Sequence, residues 1–120
     1  PADAIECIDS HGSSTRLNDA SEAAAYADVF GDRLPSIPVI AQKGVFGHPL
    51  AASNLMEIVG LASLLPQGML PPVMNTTSVT LSEPVDLVLG EPRHAQPEYA
   101  VKNSSGFSGL HSACVLRVMS

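Results

Sequence analysis

The sequence predicts an α/β fold whose strands and helices follow one another in the order β-α-β-α-β-β. Three patterns indicate this order: short runs rich in Ile and Val that are typical of buried strands, two longer segments of helical composition between them, and a glycine-bracketed loop between the last two strand-like runs. With 120 residues, the chain has the size of one small domain or of one half of a larger domain.

The first strand is predicted over residues 4–10, where isoleucines partly alternate with other residues, and it runs directly into His11. The alanine-rich segment that follows predicts a helix over residues 18–30, with Asp19 and Glu22 spaced like a capping box. We therefore expect His11 to lie in a turn between the end of the strand and the helix.

The second strand is predicted over residues 37–42, with Lys43 at its exit. Apolar residues then surround the predicted helix over residues 49–65 on all sides, so this helix is expected to be buried on most sides. A membrane span is the competing interpretation. Glu57 lies in the middle of the helix, however, and the proline-rich stretch over residues 66–72 ends the run short of the roughly 20 residues that a bilayer requires, so we favour a buried helix.

The remaining segment begins with a polar surface connection and contains a weak strand candidate over residues 86–89. Two further strands are predicted over residues 99–105 and 110–118, and the loop over residues 106–109 joins them as a hairpin. Both predicted helices are long enough to cover a sheet formed by these strands.

The composition indicates that another subdomain or chain covers part of the surface. Charged residues make up only 15% of the sequence and hydrophobic residues 45%, whereas roughly 25% of the residues in ordinary soluble domains are charged. The net charge is −6, and the six basic residues are well separated along the chain. Because phosphate backbones are bound by clustered Lys and Arg, we do not expect nucleic acid as a partner.

Cys7 and Cys114 each lie in an apolar strand-like run, which predicts reduced and buried thiols. Neither cysteine belongs to a CxxC motif, and the histidines lack short ligand spacing, so we expect no metal site. No motif requires a cofactor. No secretion signal stands at the start of the sequence, and the expected location is the cytoplasm.

His11 and His48 stand at the ends of two neighbouring predicted strands, where open α/β sheets bind ligands, so the two rings can converge on one point. Such a pair is suited to proton transfer or to stabilising an oxyanion. Lys43 and Glu57 are distant from other charged residues, which predicts a buried ion pair. The competing interpretation of each histidine is a satisfied structural residue. No serine or cysteine has neighbours that would activate it as a nucleophile.

Three segments resemble motifs of the β-ketoacyl synthases, the condensing enzymes of fatty-acid and polyketide synthesis. The segment IDSHGSSTRLND resembles the HGTxT histidine motif of this family, QKGVFGHPLAASNLMEIV resembles its K-x-x-x-G-H block, and NSSGFSGLHSACVL resembles its GFGG-type loop and strand. The motifs occur in the family's order and are spread over nearly the whole chain. The chain thus resembles the C-terminal half of such an enzyme.

The resemblance implies a thiolase-like fold, in which two similar halves pack as α-β-α-β-α layers. Residues 1–120 would form the C-terminal half-domain, with a mixed sheet. It also implies a decarboxylative Claisen condensation, in which malonyl-carrier protein reacts with an acyl thioester in fatty-acid or polyketide synthesis.

The resemblance also implies roles for five residues. His11 and His48 match the two histidines that serve decarboxylation and stabilise the enolate. Lys43 matches the lysine that orients this network, and Glu57 falls where the family has the glutamate paired with that lysine. Phe107 matches the loop phenylalanine whose backbone N–H contributes to the oxyanion hole and whose ring gates the acyl pocket.

The nucleophilic cysteine of the family belongs to its N-terminal half and has no counterpart in this sequence. The implied partners are that N-terminal half, in the same or a separate chain, an acyl carrier protein and a homo- or heterodimer mate. One alternative is a non-catalytic subunit like the chain-length factors of polyketide systems, and another is an unrelated small α/β binding domain. The sequence departs from the family pattern at Phe46, Pro49, Asn54, Ser108 and His111.

Overall fold

The computed structural model describes residues 1–119, which contain seven β-strands and three α-helices. The strands are β1 (Cys7–Asp9), β2 (Pro38–Ile40), β3 (Met69–Leu70), β4 (Asp86–Leu87), β5 (Arg93–His94), β6 (Tyr99–Ser105) and β7 (His111–Arg117). The helices are α1 (Arg16–Phe30), α2 (Lys43–Phe46) and α3 (Ser53–Leu64).

Five strands form the main sheet, in the spatial order β4-β2-β1-β6-β7. The strands β4, β2, β1 and β6 run parallel, and β7 returns antiparallel to β6 as the second strand of a hairpin. The strands β3 and β5 form a separate antiparallel pair. Because the four parallel strands point the same way, their carboxyl ends share one edge of the sheet, which we call the carboxyl edge.

Alternate residues of the central strands face opposite sides of the sheet, and each side carries one hydrophobic cluster. Cys7 belongs to the cluster beneath α3, and its neighbour Ile8 belongs to the cluster beneath α1. The α3 side contains Cys7, Ile40, Leu61, Leu65, Leu70, Val88 and Ala100. The α1 side contains Ile5, Ile8, Tyr26, Leu34, Ile37 and Val39. The two long helices therefore cover opposite faces of the sheet.

The predicted α/β fold with a mixed sheet is confirmed. The predicted elements follow one another in the order β-α-β-α-β-β, the weak strand candidate over residues 86–89 forms β4, and the structure adds α2, β3 and β5. The first strand is shorter than predicted, because Ala2–Ala4 form a turn of 3-10 helix before it. The sequence pattern does not predict α2, of four residues, or the pair of two-residue strands β3 and β5. Elements of this length are too short to produce a recognisable hydrophobic period.

The expectation that the second long helix is buried on most sides is wrong. Its buried residues are Ser53, Glu57 and Leu61. Their i, i+4 spacing places them on one face, whereas Leu55 and Val59 are 68% and 58% exposed. The physical reason is that α3 packs on the sheet with a single face within residues 1–119. No helix in that range is long and apolar enough to cross a membrane.

Both cysteines are free thiols, and they differ in burial. Cys7 on the central strand β1 is buried, and burial raises the pKa of its thiol to about 12, so it stays protonated at neutral pH. Cys114 is only half-buried, contrary to the expectation from its apolar neighbours. The reason is its position on β7, which is the edge strand of the sheet.

Candidate active site

The carboxyl edge gathers the residues that the sequence predicts as functional. His11 follows β1, Lys43 follows β2 as the first residue of α2, and Phe107 follows β6. His48 lies in the loop between α2 and α3, and its ring centroid is 5.3 Å from that of His11, with an angle of 79° between the ring planes. The parallel topology thus brings the two histidines into contact.

His11 is a buried histidine that Lys43 contacts twice. The Nζ atom of Lys43 lies 3.3 Å from Nδ1 of the ring and donates to the His11 carbonyl oxygen at 2.5 Å. An ammonium group only donates hydrogen bonds, so Nδ1 accepts and the neutral ring carries its proton on Nε2. Burial, followed by the charge of Lys43, lowers the pKa of His11 below 6.5. His11 is therefore a neutral Nε2–H donor near pH 7.

His48 is an exposed histidine whose ring is oriented by the residues that lead into α3. Its Nδ1 accepts a hydrogen bond from the backbone N–H of Leu50 at 3.1 Å and contacts the hydroxyl of Ser53 at 3.1 Å. Since a backbone N–H can only donate, the neutral ring again carries its proton on Nε2. Gly47 turns the chain toward His48 with a φ of +79°, a conformation that favours glycine.

Lys43 and Glu57 form the ion pair that their isolation in the sequence predicts. The Nζ atom of Lys43 lies 2.5 Å from Oε1 of Glu57, and both side chains are buried, with 5% and 0% exposed. Charges at this depth require partners, because an unpaired buried charge is strongly destabilising. The ion pair explains why Glu57 faces the sheet although apolar residues of the same helix face outward.

Lys102 is a second buried lysine, and sequence reasoning missed it. It lies on β6 directly opposite Asp9 of β1, and its Nζ is 2.9 Å from Oε2 of Glu57. This contact is an ion pair, while the directed hydrogen bonds of Lys102 go to the carbonyl oxygens of Ser10 at 2.9 Å and Asn103 at 2.6 Å. The sequence offers only a weak signal for it, a lysine inside a predicted strand on the same face as Ala100.

Asp9 is a fully buried carboxylate next to this pair of lysines. Its Oδ2 accepts a hydrogen bond from Gln42 Nε2 at 2.7 Å, and the same nitrogen donates to the carbonyl oxygen of Glu57 at 2.9 Å. A Cβ at Gly60 would lie 2.1 Å from Gln42 Oε1, so glycine makes room for this amide. Burial, opposed in part by the charge of Lys102, raises the pKa of Asp9 to about 7.

The raised pKa of Asp9 predicts a pH-dependent stability. Between its ordinary pKa of 3.8 and about 7, the folded protein holds a proton on Asp9 that the unfolded chain has released. Asp9 therefore lowers the free energy of unfolding as the pH rises through this range. Asp9→Asn removes the effect, so we expect the variant to gain roughly 2 to 4 kcal/mol relative to the native protein between pH 4 and pH 8.

Chemical denaturation at several pH values measures this difference. The lowered pKa of His11 has the opposite slope, and comparison with the variant cancels it because both proteins carry His11. Asp28→Asn is the matched control, since Asp28 is an exposed carboxylate on α1. Parallel stability profiles for Asp9→Asn and the native protein would show that Asp9 does not titrate as expected.

Glu22 does not form the predicted capping box. Helix α1 begins at Arg16, and Glu22 lies nearly two turns further on, buried against the end of β1. Its carboxylate accepts hydrogen bonds from the backbone N–H groups of His11 at 2.7 Å and Gly12 at 2.9 Å, and from the Asn103 amide at 2.8 Å. The carboxylate of Glu22 therefore pairs with backbone N–H groups of the turn after β1, which need acceptors, and not with those at the start of the helix. Glu22 thereby fixes the backbone of His11.

Phe107 lies on the loop between β6 and β7 and is 84% exposed. Within residues 1–119 its ring therefore does not pack on the two histidines, although its loop leaves the same edge of the sheet. Ser108 follows with a φ of +60°, a conformation that favours glycine. The serine thus adopts the backbone that the glycine of the resembled motif would adopt without strain.

The site offers hydrogen-bond donors and a charge network. His11 and His48, each with its Nδ1 engaged, can present Nε2–H groups to a developing oxyanion, and Lys43 fixes the tautomer of His11. Cys7 is protonated and buried, so it is not suited to nucleophilic attack. Among residues 1–119, no three His, Cys, Asp or Glu side chains lie close enough to hold a metal ion.

Comparison with known proteins gives the same family as the motifs. Residues 1–77 match the family model described as beta-ketoacyl synthase, C-terminal domain. The chain is 33% identical over 114 residues to the tetracenomycin polyketide synthase ketoacyl synthase alpha subunit of Streptomyces glaucescens, covering 95% of this chain and 27% of that protein. It is 31% identical over 113 residues to 3-oxoacyl-(acyl-carrier-protein) synthase 1 of Escherichia coli K12, covering 94% and 27%. The chain spans about a quarter of the length of these relatives.

Solved ketosynthases share the fold. A ketosynthase complex described as a type II polyketide synthase acyl-carrier protein with its ketosynthase bound to the hexaketide matches with a TM-score of 0.93 and 33% identity, over 98% of this chain and 29% of that one. The ishigamide ketosynthase/chain length factor matches with a TM-score of 0.91 and 28% identity, over 100% and 29%. These matches confirm the thiolase-like fold. The chain belongs to the β-ketoacyl synthase family, in which it corresponds to the C-terminal domain.

Proposed function

We propose that this chain supplies the hydrogen-bonding and acid-base groups of a β-ketoacyl synthase active site. The reaction is the decarboxylative Claisen condensation of malonyl-carrier protein with an acyl thioester. One observation supports this function above all others: the rings of His11 and His48 lie 5.3 Å apart, and a hydrogen-bond donor faces Nδ1 of each. Each ring is left with an Nε2–H that can point at a shared oxygen.

The two histidines act in the decarboxylation step. The bond between the malonyl carboxylate and its α-carbon breaks, CO2 leaves, and the electron pair moves into the thioester to give an enolate. His11 and His48 donate their Nε2–H groups to the enolate oxygen, where the negative charge develops. The α-carbon then attacks the acyl group on a cysteine. A carbon–carbon bond forms, the carbon–sulfur bond breaks, and the thiolate leaves.

Lys43, Glu57 and Phe107 assist the same steps. Lys43 keeps Nδ1 of His11 as an acceptor. Burial, together with the charge of Lys43, lowers the pKa of the ring, so the ring stays neutral and donates through Nε2. Glu57 balances the charge of Lys43 in the buried pair. We assign to Phe107 a backbone N–H in the oxyanion hole and a ring that gates the acyl pocket. This assignment is supported by the position of its exposed loop at the carboxyl edge.

The attacking cysteine comes, in this proposal, from an N-terminal ketosynthase half in the same or a separate chain. The chain spans about a quarter of its relatives' length, and Cys7 is protonated and buried. The exposed apolar side chains Leu55 and Val59 of α3 offer a surface to that half or to a dimer mate. An acyl carrier protein delivers the thioesters, by analogy with the solved ketosynthase complex.

The competing function is a non-catalytic subunit that resembles a chain-length factor and pairs with an active ketosynthase. The match to the ishigamide ketosynthase/chain length factor keeps this alternative open. Two histidines with matching tautomers beside a buried lysine favour the catalytic function, because a subunit that only shapes an acyl tunnel does not need them.

The test is the decarboxylation of malonyl-carrier protein by the full-length protein together with any partner chain. We expect release of labelled CO2 from the malonyl group and, after priming with an acyl thioester, a β-ketoacyl-carrier product detected by mass spectrometry. A folded protein that binds malonyl-carrier protein without releasing CO2 would contradict the catalytic function and support the chain-length-factor alternative.

A further inference from the structure

Lys102 is a buried cation for which the proposed reaction provides no role. Its side chain is 0% exposed, on the central part of the sheet. Its Nζ donates to the carbonyl oxygens of Ser10 and Asn103 and lies 2.9 Å from Oε2 of Glu57. An ammonium group at this depth needs all of these partners, since desolvation opposes its charge. The cost of burying it indicates that this position has a specific role.

Glu57 is held from both sides by lysines. Its Oε1 is 2.5 Å from Nζ of Lys43, and its Oε2 is 2.9 Å from Nζ of Lys102. A carboxylate that is paired at both oxygens cannot turn about its last side-chain bond without losing an ion pair. The backbone of Glu57 is also restrained, because its carbonyl oxygen accepts from Gln42 at 2.9 Å. Lys102 therefore determines where Oε1 lies.

The contacts of Lys43 carry this restraint to the histidine. The ammonium that pairs with Oε1 of Glu57 is the one that lies 3.3 Å from Nδ1 of His11. If the carboxylate turns, the ammonium moves with it, and Nδ1 loses the donor that makes it an acceptor. The tautomer of His11 thus depends on the position of Glu57.

We propose that Lys102 is a positioning residue of this active site: it holds Glu57 so that Lys43 stays on Nδ1 of His11 and the ring presents Nε2–H. The catalytic consequence rests on the proposed function, whereas the consequence for the His11 ring does not. The charge of Lys102 also lowers the pKa of His11 directly, so a lysine that acted only through its charge would on removal favour a ring protonated on both nitrogens and would leave the neutral ring with its proton on Nε2.

The test compares Lys102→Met with Arg117→Met in the full-length protein. Methionine resembles lysine in length and carries no charge. Arg117 lies on the adjacent strand β7 in an exposed ion pair with Glu98, so the control removes the same charge from the surface. NMR of ¹⁵N-labelled histidine reads the protonation of each ring nitrogen. At pH 8, above the ordinary pKa of histidine, we expect a fraction of the His11 rings in Lys102→Met to carry the proton on Nδ1 in place of Nε2, and the native signal in Arg117→Met.

The rate of malonyl decarboxylation is the second measurement. A displaced catalytic group costs on the order of 100-fold in rate, and we expect a loss of this size in Lys102→Met. A folded Lys102→Met protein with the native His11 tautomer overturns the inference, whatever its rate. A native protein that does not decarboxylate malonyl thioesters contradicts the proposed function instead, and the NMR comparison still decides the role of Lys102.

A charge-balanced variant covers the case in which Lys102→Met alone does not fold. Asp9 and Lys102 are direct partners on β1 and β6, so Asp9→Asn together with Lys102→Met removes one acidic and one basic group from the same place. Asparagine can still accept the hydrogen bond from Gln42. A neutral His11 ring with its proton on Nδ1 in this double variant supports the positioning role, and a native His11 signal overturns it.

Discussion

Alanine in place of His48 is expected to lower the rate of malonyl decarboxylation by about 100- to 1,000-fold in the full-length protein, and alanine in place of His11 by a similar factor. Each substitution removes one of the two Nε2–H groups that we place on the enolate oxygen. His48 is exposed, and its ring contacts Leu50 and Ser53 at the start of α3, so its loss should leave the core intact. The rate of CO2 release at saturating malonyl-carrier protein measures the effect.

His94→Ala is the matched control for these two variants. His94 is an exposed histidine on β5, in the separate two-stranded sheet, and we expect the native rate when it is replaced. Circular dichroism and thermal melting establish that all three variants are folded. If both His11→Ala and His48→Ala keep the native rate, neither histidine stabilises the enolate and the proposed mechanism is wrong.

Leucine in place of Glu57 is expected to destabilise the protein by about 3 to 5 kcal/mol, the cost of removing one partner from a buried ion pair. This substitution leaves two buried ammonium groups without their carboxylate, because Lys43 and Lys102 both pair with Glu57. Typical domains are stable by only about 5 to 15 kcal/mol, so a large part of the total is lost. Chemical denaturation of the full-length protein measures the change.

Glu98→Leu is the control for Glu57→Leu. Glu98 pairs with Arg117 at the surface, where both side chains are more than half exposed, and the expected loss is at most about 1 kcal/mol. Glu57→Gln keeps the shape of the side chain and an oxygen acceptor, so it should fall between these two variants. Equal stabilities for Glu57→Leu and Glu98→Leu would show that the lysines do not need the buried carboxylate.

Much of the fold follows from local patterns in the sequence. The isoleucine and valine runs that become β1 and β2, the alanine-rich segment of α1 and the glycine-bracketed loop before β7 each indicate their own structure, and the observed order agrees. The burial of α3 does not follow in this way. Its apolar residues surround the helix, but only the face that contains Glu57 and Leu61 meets the sheet. A sequence pattern records which residues are apolar, and contact with the sheet decides which of them are buried.

The residues of the candidate site also fall into two groups, those that the sequence indicates and those that it does not. His11, His48, Lys43 and Glu57 could be singled out because they stand at strand ends or alone in an apolar stretch. Lys102, Asp9 and Glu22 could not, because each is one polar residue in a segment whose pattern is already explained by a strand or a helix. Their partners lie on other elements, at sequence distances that no local pattern spans.

By itself, the sequence determined the class of fold, the order of its elements, the family and the pair of histidines, because each is encoded by residues that are close together in the chain. Only the tertiary structure decided that one glutamate of α3 is shared by two lysines, that Asp9 lies beside them, and that Glu22 holds the backbone of His11. The physical reason is the low polarity of the interior. A buried charge must find a counter-charge or a hydrogen bond within about 3 Å, and the sheet register, not the order of residues, places those partners.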